Sequence, residues 1–86
     1  MNKTLMTIVL EAVAFWELAG DEVVDPDEAL AQLEGVSSIM DQLTPAEKKE
    51  LIDFAQEYAE EEETRGGTPE RARFFRTVPE VLGLVE

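Results

Sequence analysis

The 86-residue chain contains neither cysteine nor histidine. Without thiols it can form no disulfide, and it has no thiolate to act as a nucleophile or a metal ligand. Without imidazole it lacks the side chain that most often transfers protons near neutral pH and the commonest protein ligand of metals. These two absences argue against thiol enzymes, histidine-dependent hydrolases and the usual zinc sites.

Basic residues are also scarce, because seven lysines and arginines stand against 20 acids and leave a net charge of −13. Residues 1–64 hold 17 acids and three bases, whereas residues 65–76 hold four arginines and one glutamate. A body this acidic repels the phosphate backbone, so we expect no direct binding of nucleic acid. A protein with a basic surface is the expected partner.

Long apolar runs are missing as well. The most apolar stretch follows Lys3, but Glu11 and Glu17 interrupt it before Gly20, and no signal-peptidase pattern follows. The stretch is too short and too polar to span a bilayer. We therefore expect a cytoplasmic protein with no membrane segment.

What the chain does contain is a repeated helix-start signal. Asp25-Pro26-Asp27-Glu28 and Thr44-Pro45-Ala46-Glu47 each give a cap, a proline and an acid at the third helical position, and Thr68-Pro69 begins the same pattern. Apolar spacing supplies a further helix, which we expect Gly20 to cap in the left-handed conformation. The sequence predicts one all-α domain over residues 1–86, with helices near 4–19, 26–43, 45–63 and 69–78 and a short C-terminal turn.

The first predicted helix has an unusually wide apolar arc, about half of its circumference. The arc is formed by Leu5, Ile8, Val9, Ala12, Val13, Phe15, Trp16 and Ala19. Such an arc is typical of the central helix of a bundle, and Trp16, at its centre, is then expected to be mostly buried. The alternative is that a second chain covers the arc.

The third predicted helix carries an acidic stripe, defined as Glu50, Asp53, Glu57, Glu60 and Glu61. These five acids fall on one face at helical spacing, where each i,i+3 or i,i+4 pair of like charges costs about 0.2–0.5 kcal/mol. Such repulsion favours a surface that meets a basic partner. The alternative is a solubilising face without a partner.

Two other charged clusters have simpler explanations. Asp21–Glu28 is rich in carboxylates, but Pro26 and Gln32 stand where a calcium loop needs glycine and glutamate. Arg65, Arg71, Arg73 and Arg76 surround two phenylalanines. We expect these arginines to fold back onto the acidic end of the third helix, while the phenylalanines enter the core. Neither cluster predicts a metal or nucleic-acid site.

No phosphate loop, dinucleotide-binding glycine pattern or nucleophile motif occurs in the chain. We predict no catalytic residues, no cofactor and no enzymatic activity. The leading hypothesis is a protein-binding module of the inhibitor, immunity or regulatory-subunit type that presents the acidic stripe to a basic partner. One alternative is a structural protein that forms a homodimer through the apolar face of the first helix. A weaker alternative is a mimic of nucleic acid.

Overall fold

A computed structural model describes residues 1–84 of the chain and contains four α-helices within that range. They are α1 (Lys3–Leu18), α2 (Pro26–Met40), α3 (Pro45–Thr64) and α4 (Pro69–Val81). No β-strand occurs in the same residues, which confirms the predicted all-α class. Within residues 1–84, none of the helices is both long and apolar enough to cross a bilayer.

The three predicted start signals all begin helices. Thr44 forms a complete capping box, since its hydroxyl accepts from the Glu47 amide at 3.1 Å and the Glu47 carboxylate accepts from the Thr44 amide at 2.9 Å. Asp25 accepts from the amides of Asp27 and Glu28, but the Glu28 side chain instead accepts from Gln32. The Asp25 box is therefore only half formed. Proline at the first helical position has no amide hydrogen, so no donor at that position needs a partner.

The helix ends agree less closely with the sequence. α2 ends at Met40, three residues before the predicted end, whereas α4 continues through Pro79 to Val81. Gly20 was expected to cap α1 in the left-handed conformation, but the only positive-φ residues between 1 and 84 are Gly66 and Gly83. That expectation is wrong, because Ala19 ends α1 in an extended conformation.

One hydrophobic core joins the four helices. α3 packs along α4 as a hairpin, α1 lies against both, and α2 contacts chiefly α1. The largest fully buried side chains come from α1, α3, α4 and the turn after α4: Leu10, Val13, Leu51, Phe75, Val78 and Leu82. α2 contributes little to this core, since Leu33 is buried while Val36 and Met40 are half-buried. α2 is thus the most peripheral helix.

The orientation of α1 corrects the sequence-based assignment. Its buried residues are Met6, Leu10, Val13 and Ala14. By the 3.6-residue period these lie on nearly the opposite side of the helix from Leu5, Ile8, Ala12 and Phe15, which are exposed. Trp16 is half-buried at the edge of the core. Because α1 is apolar on both sides, its periodicity alone does not determine which side packs inward.

Candidate protein-binding surfaces

The acidic stripe lies fully on the surface of α3. Each of its five members, Glu50, Asp53, Glu57, Glu60 and Glu61, is exposed. Two are compensated, because Glu50 binds the amino group of Met1 and Asp53 accepts from Lys49 at 3.0 Å. Glu57, Glu60 and Glu61 form no ion pair with any group in residues 1–84. The uncompensated charge is therefore concentrated in the C-terminal half of the stripe.

The arginine segment folds back onto α3 as predicted. Arg65 and Arg71 both bind Glu62, and Arg76 binds Glu63. The two phenylalanines of the segment, Phe74 and Phe75, are buried in the core. The segment thus has a structural role, and only Arg73 among its four arginines stands outside the ion pairs of residues 1–84.

Glu62 is the buried centre of an ionic cluster. It is only 3% exposed, and one carboxylate oxygen accepts from Arg65 at 2.7 Å and from Nε of Arg71 at 3.1 Å. Hydrogen bonding from Arg65 is the main cause that lowers the pKa of Glu62; burial opposes it and Arg71 assists it. Glu62 is therefore ionised at neutral pH and holds α3 to α4.

The same cluster reaches α1 through Glu11. Arg71 donates to both carboxylate oxygens of Glu11, at 3.0 and 2.7 Å, and the Tyr58 hydroxyl donates to Glu11 at 2.7 Å. Burial by itself raises the pKa of Glu11, but the hydrogen bonds from Arg71 and Tyr58 outweigh it and the pKa lies below its ordinary value. Burial, followed by the bond to Glu11, raises the pKa of Tyr58.

The buried polar side chains of the described residues are all hydrogen-bonded, since no buried side-chain nitrogen or oxygen in residues 1–84 lacks a partner. The same residues contain no group of three or more acids placed to hold a metal ion. The cluster fixes the relative positions of α1, α3 and α4, and through Glu11 it sets which side of α1 faces outward.

The outward side of α1 carries an apolar row, defined here as Leu5, Ile8, Ala12 and Phe15. Leu5, Ile8 and Phe15 are 60%, 58% and 52% exposed. Isolated apolar side chains on a surface are ordinary, whereas several apolar side chains exposed on one helix face are a candidate for a contact surface. The apolar row is therefore the strongest candidate site in residues 1–84.

A cleft borders the apolar row near the end of α1. It measures about 540 Å³ and is lined by Ala14, Phe15, Leu18, Ala19 and Val23 on its apolar side. Glu11, Glu70 and Arg71 contribute its polar rim. Phe15 belongs to both features, so the row and the cleft form one surface.

Two features were missed from the sequence, although spacing could have indicated both. Glu62 is one of four consecutive glutamates, yet it continues the buried series Leu51, Ala55 and Ala59 at intervals of four, four and three. Leu10 and Ala14 were omitted from the α1 arc, although with Met6 and Val13 they also lie on one helical face. In both cases the signal is spacing, because each missed residue lies three or four positions from another buried residue of the same helix.

Comparison of this chain with protein-family models, with curated proteins and with solved structures gives no match.

Proposed function

We propose that this chain is a non-catalytic protein-binding module, of the inhibitor, immunity or regulatory-subunit type, whose partner is a basic protein. The apolar row of α1 is the surface that contacts the partner. The observation that carries the proposal is the exposure of Leu5, Ile8 and Phe15 on one face of a helix whose other face fills the core. We place this activity in the cytoplasm.

The energetics favour a covered row. Fully burying one large apolar side chain contributes about 1.5–3 kcal/mol, so covering three half-exposed ones contributes about 2–4 kcal/mol. That amount is substantial beside the stability expected of a small domain, about 4–13 kcal/mol for this length. A partner that covers the row gains this free energy without any change in the fold.

In this proposal the acidic stripe has a second role, which is to attract the basic partner. Exposed charges act over about 8–10 Å at physiological salt and mainly raise the rate of association. Glu57, Glu60 and Glu61 are suited to this because no cation in residues 1–84 neutralises them. Burial of the row would provide the affinity, and the charge of the stripe would raise the association rate.

Self-association is the second candidate function. The row has intervals of three, four and three residues, which is the spacing of a helix–helix seam that two copies could share. The net charge of −13 opposes this arrangement, because each copy would bring the same excess of acids. A basic partner would cover the apolar row and also neutralise the excess of acids, whereas a second copy would only cover the row.

Site-specific photo-cross-linking in the native cell tests the proposal. A photoreactive residue is placed at Ile8 on the row, at Glu57 on the stripe and at Leu30 on α2 as a control of similar exposure (56% against 58% for Ile8). We expect position 8 to capture a distinct basic protein and position 30 to capture none. Capture of a second copy at position 8 would establish self-association instead, and capture from position 57 alone would move the contact surface to the stripe.

A further inference from the structure

The geometry points to the kind of element that occupies the apolar row: a cationic amphipathic α-helix of the partner protein. This inference rests on the proposed function and specifies it further. It follows from the spacing of the row, from the cleft beside it and from the charges around it.

The spacing of the row selects a helix. Leu5, Ile8, Ala12 and Phe15 span eleven residues of α1, a rise of about 15 Å, which a partner helix of about three turns can follow. Intervals of three and four residues match the seam at which two helices interlock. A partner strand has no place to add, because residues 1–84 contain no strand with a free edge.

The relief of the surface offers a position for an anchor side chain. Ala12 is the smallest member of the row and lies between Ile8 and Phe15, so its short side chain leaves room for a larger one from the partner. Beyond Phe15 the cleft provides an apolar wall of Ala14 and Leu18. A large apolar side chain from the partner helix fits such a position, as central anchors do in protein interfaces.

The charges around the row require cations from the partner. Glu70 is exposed on the cleft rim, Glu22 is exposed next to Val23 of the cleft wall, and neither pairs with a group in residues 1–84. The only cations of residues 1–84 outside the ion pairs are Lys3, Lys48 and Arg73. Since a second copy brings so few free cations, the complementary surface belongs to a basic partner.

A synthetic helix tests the inference directly. The probe is a peptide of about 15 residues with leucines at intervals of three and four and lysines on both flanks, a length at which an isolated helix is only marginally stable. One control peptide carries glutamate in place of lysine, and another has the same composition in scrambled order. Trp16, the single tryptophan, lies 5.6 Å from Phe15 between ring centroids and reports binding by fluorescence.

We expect saturable binding of the lysine peptide to the full chain, with a gain of helical circular dichroism. The double variant Ile8→Gln/Phe15→Gln should lower the affinity by about tenfold or more, whereas Leu30→Gln should leave it unchanged. The glutamate peptide and the scrambled peptide should each bind at least about tenfold more weakly. Raising the salt concentration from about 50 to 500 mM should weaken binding of the lysine peptide.

Three results would overturn the inference. The scrambled peptide or the glutamate peptide could bind as tightly as the lysine peptide, or Leu30→Gln could lose as much affinity for the lysine peptide as the double variant does. If the lysine peptide fails to bind while position 8 still captures a basic protein in the cell, the helical mode is wrong and the proposed function stands. If position 8 captures only a second copy, both are wrong.

Discussion

Glu62 shows how one buried charge can organise three helices. It is one of four consecutive glutamates, Glu60 to Glu63, yet it alone among them is buried, because it continues the inward face formed by Ala55 and Ala59. An unpaired buried carboxylate would be strongly unfavourable, and the two arginines at 2.7 and 3.1 Å remove that penalty. The arginine segment is thus required by the register of α3.

The pH dependence of stability should depend on this cluster. The pKa values of Glu62 and Glu11 are lowered in the folded state, so their contribution is fully present above the ordinary carboxyl pKa, about 4.3, and is lost as pH falls below it. Glu62→Gln should lower the unfolding free energy by about 1–3 kcal/mol at pH 7, and by much less at pH 3.

Urea unfolding at both pH values measures this, with Glu61→Gln as the control. Glu61 is the exposed neighbour of Glu62 and forms no ion pair in residues 1–84, so its substitution should change little at either pH. If Glu62→Gln lowers the unfolding free energy by the same amount at pH 7 and at pH 3, the ionic role of Glu62 is contradicted.

Gly67 is required by the same carboxylate. A Cβ atom at position 67 would lie 1.5 Å from Oε2 of Glu62, so no side chain can be added without displacing that carboxylate from its place beside the arginines. Gly67→Ala should therefore destabilise the fold by about 1–3 kcal/mol.

Gly20→Ala is the matched control, since no atom lies within 4 Å of a Cβ at that position and its φ is not positive. Thermal melting of the two variants measures the difference. Equal melting temperatures would show that the Glu62 carboxylate moves aside freely.

At the scale of the helix, α3 combines a buried face that is apolar except for Glu62 with an exposed acidic face. The acidic stripe places like charges at i,i+3 and i,i+4, and only Lys49 on the same helix offsets them at Asp53. We predict that Asp53→Asn/Glu57→Gln/Glu60→Gln preserves the fold and raises its unfolding free energy by about 1 kcal/mol at low salt. It should also slow association with the native partner and weaken the salt dependence of that rate.

Calorimetric melting and stopped-flow association measure these two effects. The matched control is Glu34→Gln/Asp41→Asn/Glu80→Gln, which removes the same charge from exposed positions outside α3. If the control triple variant raises the unfolding free energy and lowers the association rate as much as the stripe triple variant does, net charge accounts for both effects. The stripe then has no special role.

At the scale of the whole molecule, charge and apolar surface act in opposite directions. The apolar row favours association, whereas the net charge of −13 opposes contact between identical copies. We therefore predict a monomer in sedimentation at micromolar concentration and near-physiological salt, with no change in Ile8→Gln. A wild-type dimer that Ile8→Gln dissociates would instead support an interface of about 1,200–2,000 Å² between copies.

Several parts of the fold could be predicted from the sequence, because they depend on neighbouring residues. A capping side chain, a proline and the apolar period of α2 to α4 act within a few residues of chain, and the structure places helix starts at Pro26, Pro45 and Pro69 accordingly. The exposure of the acidic stripe was predictable for the same reason. Its role in binding stays a prediction.

Only the tertiary structure decided which side of α1 is covered. Both Leu10 on one side and Ile8 on the other satisfy a helical apolar pattern, so periodicity favours neither. The choice follows from contacts made by distant residues, since Arg71 and Tyr58 hold Glu11 while the α3–α4 hairpin receives Leu10. A local pattern specifies that a helix has an apolar face, but the rest of the chain determines which face is covered and which stays exposed.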